Sequence, residues 1–339
     1  MRKKVYGFSN LRVIACIAIV FLHTFYLGAG FYDAPAGGFV LCMCLRNLMM
    51  WAVPCFVMVS GALLLDPGRN VTYSKIFSNY IPRMAVALVF FTFVFEIMDE
   101  IISGDISFLS VLKNALYKIY TNTSWSHMWY LYLMIALYLM LPLYRKVAAG
   151  LTRKDAIYIL SLLFVFQSVI PLVENFVGVE TGFYICVYTV YTLYLFAGFI
   201  LHNKLIDLPR YVFICAFAGG LVLTCAITAI GAMGGHEALL SSVGNFSNPF
   251  TGLAAAGLFG IVSGIDFKEH KFITSFDNCT FGIYLIHMAV LKVIFVRFKF
   301  SPLSFGGVIS LVPVAILVTL ISYGIVWVFK LILTAGGKM

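Results

Sequence analysis

Two ionisable residues, Arg12 and His23, interrupt an otherwise apolar stretch, SNLRVIACIAIVFLHTFYLGAG. They are 11 positions apart. In an α-helix this spacing brings their side chains to within about 20° of each other around the axis and roughly 16 Å apart along it. Ionisable residues inside a membrane are costly and therefore functional candidates. The pattern predicts one helix face with a guanidinium near one membrane surface and an imidazole deeper inside.

The two side chains suit different chemical tasks. The imidazole of His23 can take a proton from an attacking hydroxyl as a general base. The guanidinium of Arg12 can bind phosphates through its planar set of donors. The plainer interpretations are a histidine satisfied within the helix bundle and an arginine that only flanks the cytoplasmic surface.

A second histidine, His127, opens the apolar segment SWSHMWYLYLMIALYLMLPLY. Trp125, Trp129 and Tyr130 beside it are typical of the aromatic belt at a membrane surface. His127 and Trp129 are therefore either structural residues of that interface or candidates for binding a substrate near the outer surface.

Three further polar residues lie inside apolar segments. His287 is midway along CTFGIYLIHMAVL and is either a tether between helices or a direct participant. Glu96 lies about as deep in its segment as His23 does, so it would orient the imidazole if the two helices are neighbours. Ser60, before Gly61, forms a small polar spot, although serine often bonds back to its own helix.

The composition identifies the class of protein. Of the 339 residues, 62% are hydrophobic and 11% are charged, whereas a soluble domain has about 25% charged residues. We expect an all-α, polytopic membrane protein with one embedded domain over residues 1–339. The net charge of +9 is explained by positively charged cytoplasmic loops, so nucleic acid is not an expected partner. All eight cysteines lie in apolar segments and are interpreted as packing residues.

Apolar runs long enough to cross a bilayer predict about ten transmembrane helices. Of the 23 lysines and arginines, 16 then fall on one side of the membrane, five on the other and two within spans. This bias predicts that both termini are cytoplasmic. The longest outer loop, 103–126, has apolar residues at helical spacing and predicts an interfacial helix. The predicted spans are 10–30, 39–65, 82–102, 127–144, 155–173, 183–201, 211–231, 248–265, 276–297 and 307–330.

Familiar signatures of soluble catalysis do not occur in the sequence. It contains no Walker or GxGxxG loop, no HExxH or GxSxG, and no Cys/His metal spacing. We therefore expect no metal. Span 8, PFTGLAAAGLFGIVSGI, is rich in glycine and alanine, which favours close helix packing.

Four stretches together resemble the membrane acyltransferase family 3 of integral O-acyltransferases. LRVIACIAIVFLH matches the family's Arg-x10-His signature, and VPCFVMVSG is similar to its VP-x-FF-x-x-SG. HMWYLYLMIALYLMLPL resembles H-x-W-F/Y-L…LY…P-L, and FGIYLIH resembles S-F-G-I-Y-L-I-H. The four occur in the family's order over most of the chain, and ten spans with internal termini also fit it.

The resemblance implies an acyl-CoA-dependent enzyme in the cell membrane, of bacterial type. Acetyl-CoA is the expected donor, and the expected acceptor is a hydroxyl of a surface glycan or lipid-linked saccharide. The lead-in to span 3, YSKIFSNYIPRM, is less basic than is usual in the family. Lys75 and Arg83 are left there as candidates for substrate binding. Val57 replaces the second Phe of the family's FF.

Two other classes of function fit the same residues. In a proton-coupled secondary transporter, His23 and Glu96 would form the proton relay, but the sequence has no inverted repeat of the kind that transporters show. In a non-catalytic glycan- or lipid-binding component, the same residues would only bind. Within the enzyme hypothesis, transfer is either direct or passes through an acylated residue.

Overall fold

The computed structural model describes residues 6–104, 107–179 and 189–336, and within these ranges all regular secondary structure is helical. The predicted all-α class is therefore confirmed. The helices are α1 (Tyr6–Ala29), α2 (Gly37–Asn47), α3 (Ala52–Leu64), α4 (Tyr73–Lys75), α5 (Ile81–Ser103), α6 (Phe108–Thr121), α7 (Trp129–Ala149), α8 (Arg153–Phe164), α9 (Ile170–Val177), α10 (Tyr191–His202), α11 (Arg210–Met233), α12 (Glu237–Val243), α13 (Pro249–Ser263), α14 (Lys271–Lys292) and α15 (Leu311–Gly336). Short π-helical turns continue three of these paths at Ile76–Tyr80, Val165–Val169 and Val293–Arg297.

Seven helical stretches in the described part of the chain are long and apolar enough to cross a membrane. They are Tyr6–Ala29, Gly37–Leu64, Trp129–Ala149, Arg153–Val177, Arg210–Met233, Lys271–Arg297 and Gly307–Thr334. Each predicted span coincides with a helix, although residues 183–188 of the sixth lie outside the described ranges. The chain is a multi-pass membrane protein.

The contacts divide the chain into two compact units, residues 1–63 with 151–339 and residues 64–150. The first unit contains α1–α3 and α8–α15, and the second contains α4–α7. The single embedded domain over 1–339 stays a prediction.

Helix α10 lies at the centre of the first unit. Nine consecutive residues, Thr192–Ile200, are buried. Nine residues make two and a half turns of a helix, so α10 is covered on every side. A surface helix would leave one face open.

Close packing of α3 on α10 depends on one glycine from each helix. A Cβ at Gly61 would lie 1.8 Å from the Leu195 carbonyl oxygen, and a Cβ at Gly198 would lie 1.9 Å from that of Met58. No side chain fits at either position, because the obstructing atoms are backbone. The SG of the span 2 motif thus has a packing function at its glycine.

The predicted close packing of the glycine-rich span 8 is confirmed. A Cβ at Gly257 of α13 would lie 2.5 Å from the Phe217 backbone nitrogen in α11. From the other side, a Cβ at Gly220 would lie 2.6 Å from the Phe250 carbonyl oxygen. The two backbones therefore approach through matched glycines.

Predicted span 2 is interrupted between α2 and α3, at residues 48–51. Pro54 lies in the first turn of α3, where its missing N–H costs nothing because first-turn N–H groups have no partner within the helix. The break lies a few residues before Pro54. Because proline cannot donate a hydrogen bond to the preceding turn, α2 and α3 do not form one continuous helix.

A helix is confirmed in the predicted outer loop as α6 of the second unit, where it packs against α5, and its interfacial position stays a prediction. Lys118 of α6 pairs with the buried carboxylate of Glu96 in α5. Glu100 accepts hydrogen bonds from the Ser107 N–H, at 3.0 Å, and from the Ser110 hydroxyl. Within the second unit, Glu96 is thus paired with a cation, and Glu100 is held by neutral hydrogen-bond donors.

Replacement of Gly61 by alanine should strongly destabilise the fold. The added methyl overlaps the Leu195 carbonyl oxygen, and overpacking of a rigid core costs about 1–3 kcal/mol or more. The measurement is thermal unfolding of the purified protein in detergent. Gly219→Ala in α11 is the matched control, since nothing lies within 4 Å of its Cβ position. An unchanged melting temperature for Gly61→Ala would contradict the packing argument.

Candidate active site

Helices α1 and α14 pack side by side and run in the same direction. Arg12 bonds to Asp277, the Cys16 thiol lies 3.7 Å from the Thr280 carbonyl oxygen, and His23 contacts His287. The sequence separations are 265, 264 and 264 residues. This constant offset defines a parallel pair in fixed register. Arg12 and His23 both face α14, as their 11-residue spacing predicts.

The two histidines form a pair inside the first unit. Their ring centroids are 5.0 Å apart, and the rings are tilted by 53°. His287 Nε2 lies 3.2 Å from His23 Nδ1. The His287 side chain is fully buried, and the His23 side chain is partly buried.

Backbone carbonyls define which nitrogen of each ring carries hydrogen. His287 Nδ1 lies 2.6 Å from the Tyr284 carbonyl oxygen, and His23 Nδ1 lies 3.0 Å from that of Ile19. A carbonyl only accepts, so both Nδ1 atoms are donors. In the neutral pair, His287 Nε2 then accepts from the same His23 Nδ1–H.

This arrangement makes His23 the member of the pair that is able to act as a base. With hydrogen on Nδ1, the lone pair of a neutral His23 is on Nε2, the nitrogen able to take a proton. If His23 becomes an imidazolium, its Nδ1–H is already directed at two acceptors, the Ile19 carbonyl and His287 Nε2. His287 therefore orients the His23 ring and would stabilise its charged form, as a hydrogen-bonded orienting group does for catalytic histidines.

Arg12 is fixed by a two-point ion pair with Asp277. Its Nε donates to Asp277 Oδ1 at 2.7 Å, and its Nη2 donates to Oδ2 at 2.6 Å. The aspartate side chain is 5% exposed and the arginine side chain 25% exposed. Nη1 takes no part in this pair, so its two N–H groups are the ones that could meet a ligand.

Asp277 is the functional candidate that the sequence analysis missed. It lies at the start of predicted span 9, ten residues before His287. A carboxylate within a span was itself a signal. A second signal was that this ten-residue spacing is close to the 11-residue spacing of Arg12 and His23 on span 1.

Ser60, also in the first unit, donates its hydroxyl to the Phe56 carbonyl oxygen at 2.9 Å, one turn earlier on α3. The back-bonding interpretation of this serine is confirmed. Its role in substrate binding stays a prediction.

The other predicted site residues lie in the second unit. His127 is buried, with its ring centroid 5.5 Å from that of Phe95. Trp129 begins α7 and makes an edge contact with Tyr130 at 6.0 Å. Lys75 and Arg83 are exposed.

The carboxylate of Glu96 pairs with Lys118 inside the second unit. Its predicted role in orienting His23 stays a prediction, as do the substrate-binding roles of His127, Trp129, Lys75 and Arg83.

A bundle of apolar helices that holds a histidine pair and a buried ion pair defines a multi-pass membrane protein with a polar cluster in its interior. The chain belongs to the membrane acyltransferase family 3, since the family's model, described as an acyltransferase domain, matches residues 5–329. The protein is thus a membrane-embedded transferase. No curated protein and no solved structure matches the chain significantly.

Removal of the Asp277 carboxylate should destabilise the protein, because it leaves the Arg12 charge partly buried without its partner. Breaking a buried pair costs about 3–5 kcal/mol, and the partial exposure of Arg12 favours the lower end. Thermal unfolding of Asp277→Ala tests this, with Asp33→Ala in an exposed loop as the control. The double variant Arg12→Ala/Asp277→Ala should recover part of the loss. Equal melting temperatures for Asp277→Ala and the control would contradict the assignment.

Proposed function

We propose that the protein transfers an acyl group from cytoplasmic acyl-CoA, with acetyl-CoA as the donor, to a hydroxyl of a surface glycan or lipid-linked saccharide. The observation that carries this proposal is the hydrogen-bonded pair of His23 and His287, which presents an imidazole base inside an apolar helix bundle. The family's acyltransferase domain supports the reaction type.

In the proposed reaction, Nε2 of His23 takes the proton from the acceptor hydroxyl as its oxygen attacks the thioester carbon. The carbon–sulfur bond then breaks, and the imidazolium returns the proton to the departing thiolate. The products are an ester and free CoA. His287 stabilises the imidazolium between these two steps by accepting from Nδ1–H.

The donor is proposed to bind at the Arg12 end of α1. CoA carries several phosphates, and a guanidinium binds phosphate well. Arg12 is held by Asp277 through Nε and Nη2, and this leaves Nη1 as the phosphate donor. The ion pair therefore fixes the direction of the guanidinium, and the N–H groups of Nη1 are not used in it.

A ten-span arrangement with both termini in the cytoplasm is part of the proposal. Because α1 and α14 are parallel, α14 must be an odd-numbered crossing if α1 is the first. The seven long apolar stretches alone would make it the sixth. With α5, α10 and α13 added as crossings, it becomes the ninth, which supports the predicted count.

Replacement of His23 by alanine should reduce acyl transfer by at least about 10²–10⁴-fold, the usual contribution of a general base. His287→Phe should reduce kcat but less severely, since it removes the acceptor for Nδ1–H and keeps the base. The measurement is transfer of label from radioactive acetyl-CoA to glycan, with protein levels compared by immunoblot. Full activity in His23→Ala would reject the mechanism.

Replacement of Arg12 by alanine should mainly raise the apparent KM for acyl-CoA. Asp277→Ala is the matched variant, because it disturbs the same ion pair but retains the guanidinium. A larger rise in KM for Arg12→Ala than for Asp277→Ala supports a direct contact with the donor. Equal KM values in the two variants would reduce Arg12 to a structural partner of Asp277.

Proteoliposomes separate this proposal from the transporter and binding alternatives. Label that moves from acetyl-CoA to a glycan extract of a bacterial cell envelope supports the enzyme. Flux that depends on a proton gradient and needs no acyl-CoA would instead support a transporter. Glycan binding with neither activity would support a binding component.

A further inference from the structure

Arg46 is a second arginine close to the histidine pair. It lies on α2, and its guanidinium carbon is 5.6 Å from the ring centroid of Tyr26. Tyr26 follows His23 by three residues on α1, so it lies on a neighbouring position of the same face, one turn further along. In the direction of α1, Arg12 comes first and His23 second. Arg46 of α2 lies beyond them, beside Tyr26.

The partners of Arg46 are all neutral. Nη1 donates to the Asn47 side-chain oxygen at 2.7 Å, and Nη2 donates to the Gly244 carbonyl oxygen at 3.3 Å. Nε is buried and has no acceptor among the described protein atoms. Within the described ranges, no carboxylate lies within ion-pair distance of Arg46. Arg12 has its charge balanced by Asp277, whereas the described part of the chain supplies no counter-charge to Arg46.

The guanidinium of Arg46 is nevertheless held in a defined position. The Asn47 amide nitrogen donates to the Thr228 hydroxyl at 2.9 Å, which in turn donates to the Thr224 carbonyl at 2.6 Å. This orients the amide oxygen toward Arg46. Asn47 is 2% exposed and Thr228 is fully buried, so the chain of hydrogen bonds is rigid. A fixed cation in apolar surroundings without a counter-charge is costly unless an anion binds there.

We propose that Arg46 and Tyr26 bind an anionic oxygen of the acyl acceptor, either a carboxylate of an acidic sugar or a phosphate of a lipid carrier. This rests on the proposed function, which assigns the donor to the Arg12 end of α1. Arg46 lies at the opposite end of the histidine pair, where the acceptor hydroxyl must reach His23. The acceptor is therefore an anionic glycan or glycolipid whose charge lies near the acylated hydroxyl.

Binding of simple anions tests the site without any acyl transfer. The full-length protein is placed in phosphatidylcholine nanodiscs, and its thermal stability is measured with farnesyl phosphate against farnesol and with galacturonate against galactose. We expect one of the two anions to stabilise the protein more than its neutral partner. Stabilisation by farnesyl phosphate assigns the site to a lipid-linked phosphate, and stabilisation by galacturonate assigns it to an acidic sugar. Stabilisation by neither anion overturns the proposal.

Substitution then assigns the anion to Arg46. Arg46→Gln should weaken anion binding by about 10- to 100-fold, the value of a charge-assisted hydrogen bond. Arg297→Gln is the matched control, because it removes one exposed positive charge from the same unit. Equal anion affinity in Arg46→Gln and in the control would overturn the proposal.

A second variant covers the case in which Arg46→Gln does not fold. In Gly244→Ala, the new Cβ would lie 2.6 Å from Arg46 Nη1 and displace the guanidinium. We expect weaker anion binding in this variant as well, and unchanged binding would overturn the proposal.

Different experimental outcomes reject the anion site and the proposed reaction. His23→Ala should keep anion binding and lose acyl transfer. If the wild-type protein binds the anion but transfers no acyl group, the proposed function is rejected and the Arg46 site remains. If it transfers acyl groups equally well to neutral and anionic acceptors and binds neither anion, the Arg46 site is rejected and the function remains.

Discussion

The ion pair of Arg12 and Asp277 is the constraint on which the site depends. Two full charges in apolar surroundings stabilise the fold only when they meet, and their two-point contact at 2.6 and 2.7 Å fixes one helix against the other in rotation and in height. Because α1 and α14 run parallel, that register is propagated three turns further along. There it brings His23 to His287 at 3.2 Å. The ion pair that holds the two helices thus also brings the two histidines together.

The sequence predicts those features that follow from periodicity along one helix. The 11-residue spacing of Arg12 and His23 gives a shared face, and the apolar runs give the positions of the helices. Contacts between distant segments are not encoded in this way. Asp277 and Arg12 are 265 residues apart, so only the packed structure shows that they pair. The same holds for Gly61, which reads as a motif residue in the sequence and contacts α10 through its backbone.

The depth of a residue in its predicted span does not show which side chain it contacts. Glu96 lies about as deep in its segment as His23 does, and its carboxylate pairs with Lys118 in its own compact unit, so its role in orienting His23 stays a prediction. Arg12 and Asp277 likewise pair within the first unit. The guanidinium of Arg46 has only neutral partners among the described residues, and it lies one turn from His23 through its contact with Tyr26. A buried charge whose described partners are all neutral is a stronger indication of a binding site than a charge that is paired with its opposite.

The complete burial of α10 has a consequence for how the chain is assembled. Its neighbours include α3, made more than a hundred residues earlier, and α13, made about fifty residues later. If α10 is a crossing, as the ten-span proposal has it, it enters the membrane before part of its final surroundings exists. Its nine buried residues, apolar except for one threonine and one tyrosine hydroxyl, tolerate lipid in the meantime. When α13 is made, it replaces lipid on the surface of α10. Packing of the first unit around α10 is then completed only after α10 has been inserted.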